Sequence, residues 1–125
     1  MNGVNNVIII GNVGNVSDVI NLNGGGKIVT LSIATTEQFI NINKEKKSNT
    51  QWHSVVLWNS LSDLSSMISK GDLIYVEGRL NYRVKNTDNH SERYTEVVAK
   101  TIRILRKANS KEEVKIDFNE DEFFD

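Results

Sequence analysis

The sequence predicts an all-β domain: a small barrel of five strands with one short helix between strands 3 and 4, followed by a disordered acidic C-terminal tail. Three observations carry that prediction. β-rich runs alternate apolar and polar residues with a period of 2, and Gly- and Asn-rich turn signals separate them. One stretch, Ser60 to Lys70, switches to helical spacing. Beyond about Lys107 the apolar pattern lapses and acids accumulate.

From Val4 to Val13 an apolar run reads as the first strand, leaving through a turn at Gly11 and Gly14. Val7 to Ile10, VIII, shows no alternation, so this strand is expected to be covered on both faces, which suits a subunit contact. The stretch NLNGGGK, Asn21 to Lys27, is a turn signal, and Lys27 to Thr36 alternates as the second strand. Polar, lysine-rich Asn41 to Asn49 reads as a loop. The third strand is Thr50 to Trp58, TQWHSVVLW, with Trp52, Ser54, Val56 and Trp58 on one face and His53, Val55 and Leu57 on the other. Leu61, Leu64, Met67 and Ile68 give the helix an apolar side, and Gly71 is read as its C-terminal stop. Asp72 to Val84 resumes alternation as the fourth strand, Lys85 to Glu92 is a polar loop, and Arg93 to Leu105 is the last strand. A helix between the third and fourth of five strands is the order of the OB fold, a Greek-key barrel whose strand face and loops bind oligonucleotides. Residues 1–106 are assigned to that barrel and residues 107–125 to a short linker and tail.

A chain of 125 residues, 38% hydrophobic and 25% charged, fits one such domain. No apolar run approaches the roughly 20 residues that a helical bilayer span needs, and VIII is too short for a signal sequence. A soluble, intracellular protein is expected, with no membrane association. Cysteine is absent and the histidines are His53 and His90, so neither a disulfide framework nor a thiolate zinc site is expected, nor any other metal or cofactor. Asn-x-Ser matches at Asn15 and Asn89 are read as chance. The net charge of -1 hides an asymmetry: residues 111–125 hold seven acids and two bases, and residues 1–110 hold nine acids and thirteen bases. The body is basic and the tail acidic, a distribution that suits a polyanionic partner.

Both tryptophans stand on one face of the third strand. Paired aromatics there commonly pack into a core, but polar Ser54 between them argues for an open face where flat rings meet nucleobases. Arg79, Arg83 and Lys85 share a face of the fourth strand, and Lys44, Lys46 and Lys47 lie in the long loop, so a phosphate track beside the rings is available. A nuclease is the first rival, yet no paired carboxylates stand beside a histidine or arginine, and GNVG, Gly11 to Gly14, lacks the lysine and helix of a phosphate loop. Catalysis is therefore not expected. An RNA-binding or primosomal OB module and a protein-interaction adaptor remain the other rivals, because fold alone does not separate them.

Several motifs in register, GVNNVIIIGNVG, NGGGKIVTLSIATTEQF, TQWHSVVLW, KGDLIYVEGRL and RYTEVV, resemble the bacterial-type single-stranded DNA-binding proteins across the whole barrel. The resemblance implies that Phe39, Trp52 and Trp58 occupy base-stacking places. One further stacking place is replaced: the chain reads NYRVKNTD, with Lys85 near the family's tryptophan, and Tyr82 shares the parity of Leu80, which suggests the interior. The resemblance further implies a homotetramer, with His53 at a subunit contact and the first strand (Val4, Val7, Ile8, Ile10) pairing across a dimer contact. It implies cytoplasmic, nucleoid-associated work on single-stranded DNA in replication, recombination and repair. The ending IDFNEDEFFD resembles the family's acidic tip, which recruits replication, repair and recombination proteins. Phe118, Phe123 and Phe124 would enter an apolar pocket while Asp117, Glu120, Asp121, Glu122 and Asp125 meet a basic rim. Two departures stand out: the chain has no proline and ends in Asp125 after its last phenylalanine, and its linker is short, about ten residues, which reduces reach.

Overall fold

The strands are β1 (Val7–Val16), β2 (Ile20–Asn21), β3 (Lys27–Ile40), β4 (Lys46–Trp58), β5 (Leu73–Thr87) and β6 (His90–Arg106), in a computed structural model that describes residues 2–108. A 3-10 helix, Asn59–Met67, joins β4 to β5. The strands neighbour one another in the order β1, β5, β6, β4, β3, and β1 pairs β3 again, which closes the five-stranded barrel expected from the sequence. β2 is a two-residue addition to the free edge of β3, overlapping at Asn21 the stretch read as a turn.

Period-2 alternation fills the barrel. Ile9 and Val13 of β1, Val29, Leu31 and Ile33 of β3, Val55 and Leu57 of β4, Ile74 and Val76 of β5, and Val97 and Ala99 of β6 form one buried cluster, with Ile68 from beyond the helix. Each large side chain so buried contributes roughly 1.5–3 kcal/mol. Close backbone approach completes the closure: at Gly11 a Cβ would stand 2.3 Å from the carbonyl oxygen of Ala34, where β1 meets β3. Gly11 and Gly14 therefore lie inside β1 and do not end it, and Val4 precedes the strand.

Three other expectations are corrected. β1 is not covered on both faces within this chain, because Ile8 and Ile10 are 57% and 49% exposed while Ile9 between them is buried. The β3–β4 and β5–β6 hairpins run well past the barrel: β3 continues to Ile40 and β4 starts at Lys46, while β5 reaches Thr87 and β6 starts at His90. Lys46, Lys47 and Lys85 are thus strand residues, and the expected loops shrink to tight turns. The polar composition that suggested loops reflects hairpin arms wet on both sides. The helix winds as 3-10, with Leu61 packed on the core and Met67 exposed. It ends at Ile68, and Gly71, at φ 93°, serves the turn into β5 instead.

That turn is locked from beneath by Asp72, which is fully buried. Its carboxylate accepts hydrogen bonds from Ser69 N at 2.9 Å, Ala108 N at 2.8 Å and Lys107 Nζ at 2.5 Å, and Lys107 Nζ also donates to Met67 O at 2.7 Å. Burial alone would raise its pKa, but these bonds, led by that from Lys107, hold it below 3.8. The end of β6 is thereby tied to the exit of the helix. Residues 109–125, with the expected partner-binding residues Asp117, Phe118, Glu120, Asp121, Glu122, Phe123, Phe124 and Asp125, lie outside the described residues.

Candidate nucleic-acid interface

Strand register assembles one continuous outer face. In the antiparallel β3–β4 pair, Ala34 stands opposite Trp52, Ser32 opposite Ser54, Thr30 opposite Val56 and Ile28 opposite Trp58. In the parallel β4–β6 contact Val56 stands beside Val98, and across β5–β6 Val98 faces Arg79, Glu96 faces Asn81, Tyr94 faces Arg83 and Glu92 faces Lys85. Directly partnered residues point to the same side of a sheet. Trp52, Trp58, Arg79, Arg83 and Lys85 therefore share one surface, as the sequence predicted, and Glu96 and Tyr94 join them.

The indoles are open to solvent, Trp52 at 62% exposure and Trp58 at 39%. Trp52 rests on Gly14: a Cβ there would come within 2.3 Å of its Cζ3 atom. A register shift in β1 between Val13 and Asn15 brings this glycine under the ring. Sequence reasoning assigned Gly14 to a turn and missed this role, since spacing alone does not show what lies across a barrel. Beside Trp52 an open depression of about 390 Å³ is floored by small polar side chains, among them Asn15, Ser17, Thr30, Ser32 and Ser54.

The cations differ in availability. Arg79 donates from Nη1 to Asn81 Oδ1 at 3.4 Å. Arg83 Nε lies 3.6 Å from Glu96 Oε1, and its guanidinium carbon is 5.1 Å from the centre of the Tyr94 ring. Lys27, which the sequence reading passed over, lies next to Ile28, the cross-strand partner of Trp58, and pairs with Asp63 at 3.5 Å. Lys44 sits in the hairpin turn at φ 60°, and Lys47 pairs with Glu45 at 3.2 Å.

Phe39 is exposed but does not join the tryptophans. It faces Lys47, and the unbroken register from Ala34↔Trp52 to Phe39↔Lys47 puts it on the opposite face of the hairpin. The register puts Lys46 on the tryptophan face. Tyr82, expected to be interior, is 66% exposed, because β5 has left the barrel by that point.

The residues expected at subunit contacts gather at one end of the barrel. Ile8, Ile10 and His53 line a groove of about 540 Å³ together with Trp52, Leu80 and Glu96. His53 Nε2 and Thr35 Oγ1 share a hydrogen bond at 2.8 Å. β1 pairs with β5 through Val7 to Asn12 but with β3 only from Asn12 onward, so among the described residues one backbone edge of Val7–Gly11 is unpaired. Also among the described residues, no three or more His, Asp or Glu are grouped to hold a metal ion, and no helix is long and apolar enough to cross a membrane.

Comparison with known proteins agrees with this geometry. Residues 4–105 match the family described as the single-strand binding protein family. Proteins named single-stranded DNA-binding protein from Rickettsia felis and Rickettsia typhi are each 39% identical over 95 residues, covering 74% of this chain and 62% of theirs. The chain thus spans somewhat under two thirds of the length of these curated relatives. A solved Plasmodium falciparum structure, an SSB complex with ssDNA, superposes with a TM-score of 0.75 at 32% identity, covering 84% of this chain and 97% of that one. A deletion mutant of the single-stranded DNA-binding protein from Thermus aquaticus superposes with a TM-score of 0.73 at 30% identity, covering 83% and 51%. A family match over most of the described residues, joined to a closed five-stranded barrel, shows that the chain belongs to the single-strand binding protein family.

Proposed function

We propose that this chain binds and protects single-stranded DNA with little regard to sequence, without catalysis of its own. The observation that carries this reading is the pair of exposed indoles, Trp52 and Trp58, on a strand face that continues into Arg79 and Lys85. Every base has a π face, and a stacked base contributes roughly 1–3 kcal/mol whatever its identity. Phosphates running beside the rings meet the cations and release counterions, so affinity falls as salt rises. The Plasmodium neighbour, solved with ssDNA, supports DNA over RNA as the ligand.

In this reading the exposed, half-unpaired β1 joins its counterpart in a second copy, building toward a homotetramer, and His53 lies at that contact. The cellular role is in replication, recombination and repair on the cytoplasmic nucleoid, with partner proteins taken up by the acidic tail.

Titration with oligo-dT tests the central claim. Binding is expected to quench tryptophan emission, and Trp52→Ala combined with Trp58→Ala is expected to weaken binding more than tenfold while the thermal unfolding midpoint is retained. An unchanged affinity rejects the stacking face. A matched RNA oligonucleotide that binds more tightly than DNA favours the RNA-binding rival.

A further inference from the structure

We propose that Tyr94, with the Arg83 guanidinium over its ring, forms a third base-stacking platform on the outer face that carries Trp52. The inference rests on the single-stranded nucleic-acid reading above and adds a subsite that the indoles do not supply.

Position is the first argument. β4 and β6 run parallel and touch at Val55↔Val97 and Val56↔Val98. Trp52 and Tyr94 each lie four residues before the second of these pairs, so they stand at the same height on the two strands. Between that height and the pairing the strands part, and Tyr94 stands on the β6 side of the outer face that carries Trp52.

Fixation is the second. The Tyr94 hydroxyl donates to the Glu92 carboxylate, which orients the ring. Glu92, Tyr94 and Glu96 alternate on the same face of β6. Buried Glu96 holds Arg83 Nε at 3.6 Å and accepts from Asn81 Nδ2 at 3.2 Å through the same oxygen. Guanidinium and carboxylate offset each other, so Arg83 brings little free charge to a phosphate. What it offers is a planar group over the Tyr94 ring, held by Glu96, on which a base stacks. The sequence leads to the expectation of a phosphate contact for Arg83; the role proposed here is stacking.

The test uses the full chain and oligo-dT at several salt concentrations. Tyr94→Leu is expected to weaken binding by about 5- to 150-fold, the range for loss of one stacked base. The slope of log K against log salt should stay unchanged, and Tyr94→Phe should retain most of the affinity. Parental affinity in Tyr94→Leu overturns the proposal, as does a slope shallower by about 0.7, the mark of a lost phosphate contact on a single strand. A second readout is independent of any loss of fold: in a Trp52→Phe, Trp58→Phe background, Tyr94→Trp supplies the single indole. Its emission is expected to be quenched on oligo-dT binding, and binding without quenching overturns the proposal. If the unaltered chain fails to bind oligo-dT at all, the functional reading and this subsite fall together; if it binds and only the Tyr94 experiments fail, the functional reading stands alone.

Discussion

Replacing Gly14 with alanine alters the seat of Trp52 and little else. The added Cβ would lie 2.3 Å from Cζ3 and 2.8 Å from Cη2 of the indole. Ordinary carbon contacts are about 3.5–4.0 Å, so the near edge of the ring must retreat by roughly 1.5 Å. At 62% exposure the ring has solvent to swing into. The fold should therefore lose only about 1 kcal/mol, at the low end of overpacking costs. Binding should suffer more. A base stacked on this ring is worth roughly 1–3 kcal/mol, and a displaced ring keeps part of that, so oligo-dT affinity should drop by about 3- to 30-fold. The assay is fluorescence titration of four proteins: parent, Gly14→Ala, Trp52→Ala, and the double variant. Because the glycine acts through the ring, its substitution should cost almost nothing once Trp52 is alanine. Equal losses in both backgrounds, or parental affinity in Gly14→Ala, would refute the reasoning.

Asp72→Asn removes the carboxylate that Lys107 grips, and with Lys107 partly exposed the cost should be about 2–3 kcal/mol, lowering the melting midpoint by about 10–20 °C. The folded pKa of Asp72 lies below 3.8, so its stabilisation is complete above that value and fades as pH falls through the folded pKa. Parent and variant melting curves should therefore converge in acid, and a gap that persists unchanged to pH 2 would contradict the assignment. Ile8→Glu with Ile10→Glu places charges on the exposed side of β1 and should lower the assembly mass measured by sedimentation; an unchanged mass removes this strand from the subunit contact.

The barrel was legible in the sequence because its interior keeps a period of two: Val29, Leu31 and Ile33 alternate with Thr30 and Ser32, and Val55 and Leu57 hold the same spacing on β4. The tryptophan face was legible for the same reason, with Ser54 marking the side left to solvent. The hairpin arms were hidden because a strand wet on both sides carries no apolar period, so Lys46, Lys47 and Lys85 read as loop. VIII misled in the other direction: its lack of alternation says that both faces are apolar, which does not fix what covers the outer one. Gly14 and Tyr94 depend on contacts between strands distant in sequence, and no local pattern encodes those.

The seam between β4 and β6 holds by two residue pairs, whereas β5 and β6 are laddered along nearly their whole length. A cylinder stitched so unevenly yields at its weakest join. Each hairpin is braced internally, and the two diverge from that join like the blades of tongs, with an aromatic ring on either blade. On the proposed function, indifference to base identity rests on the sameness of π surfaces, and the thin ladder is where the barrel opens most readily.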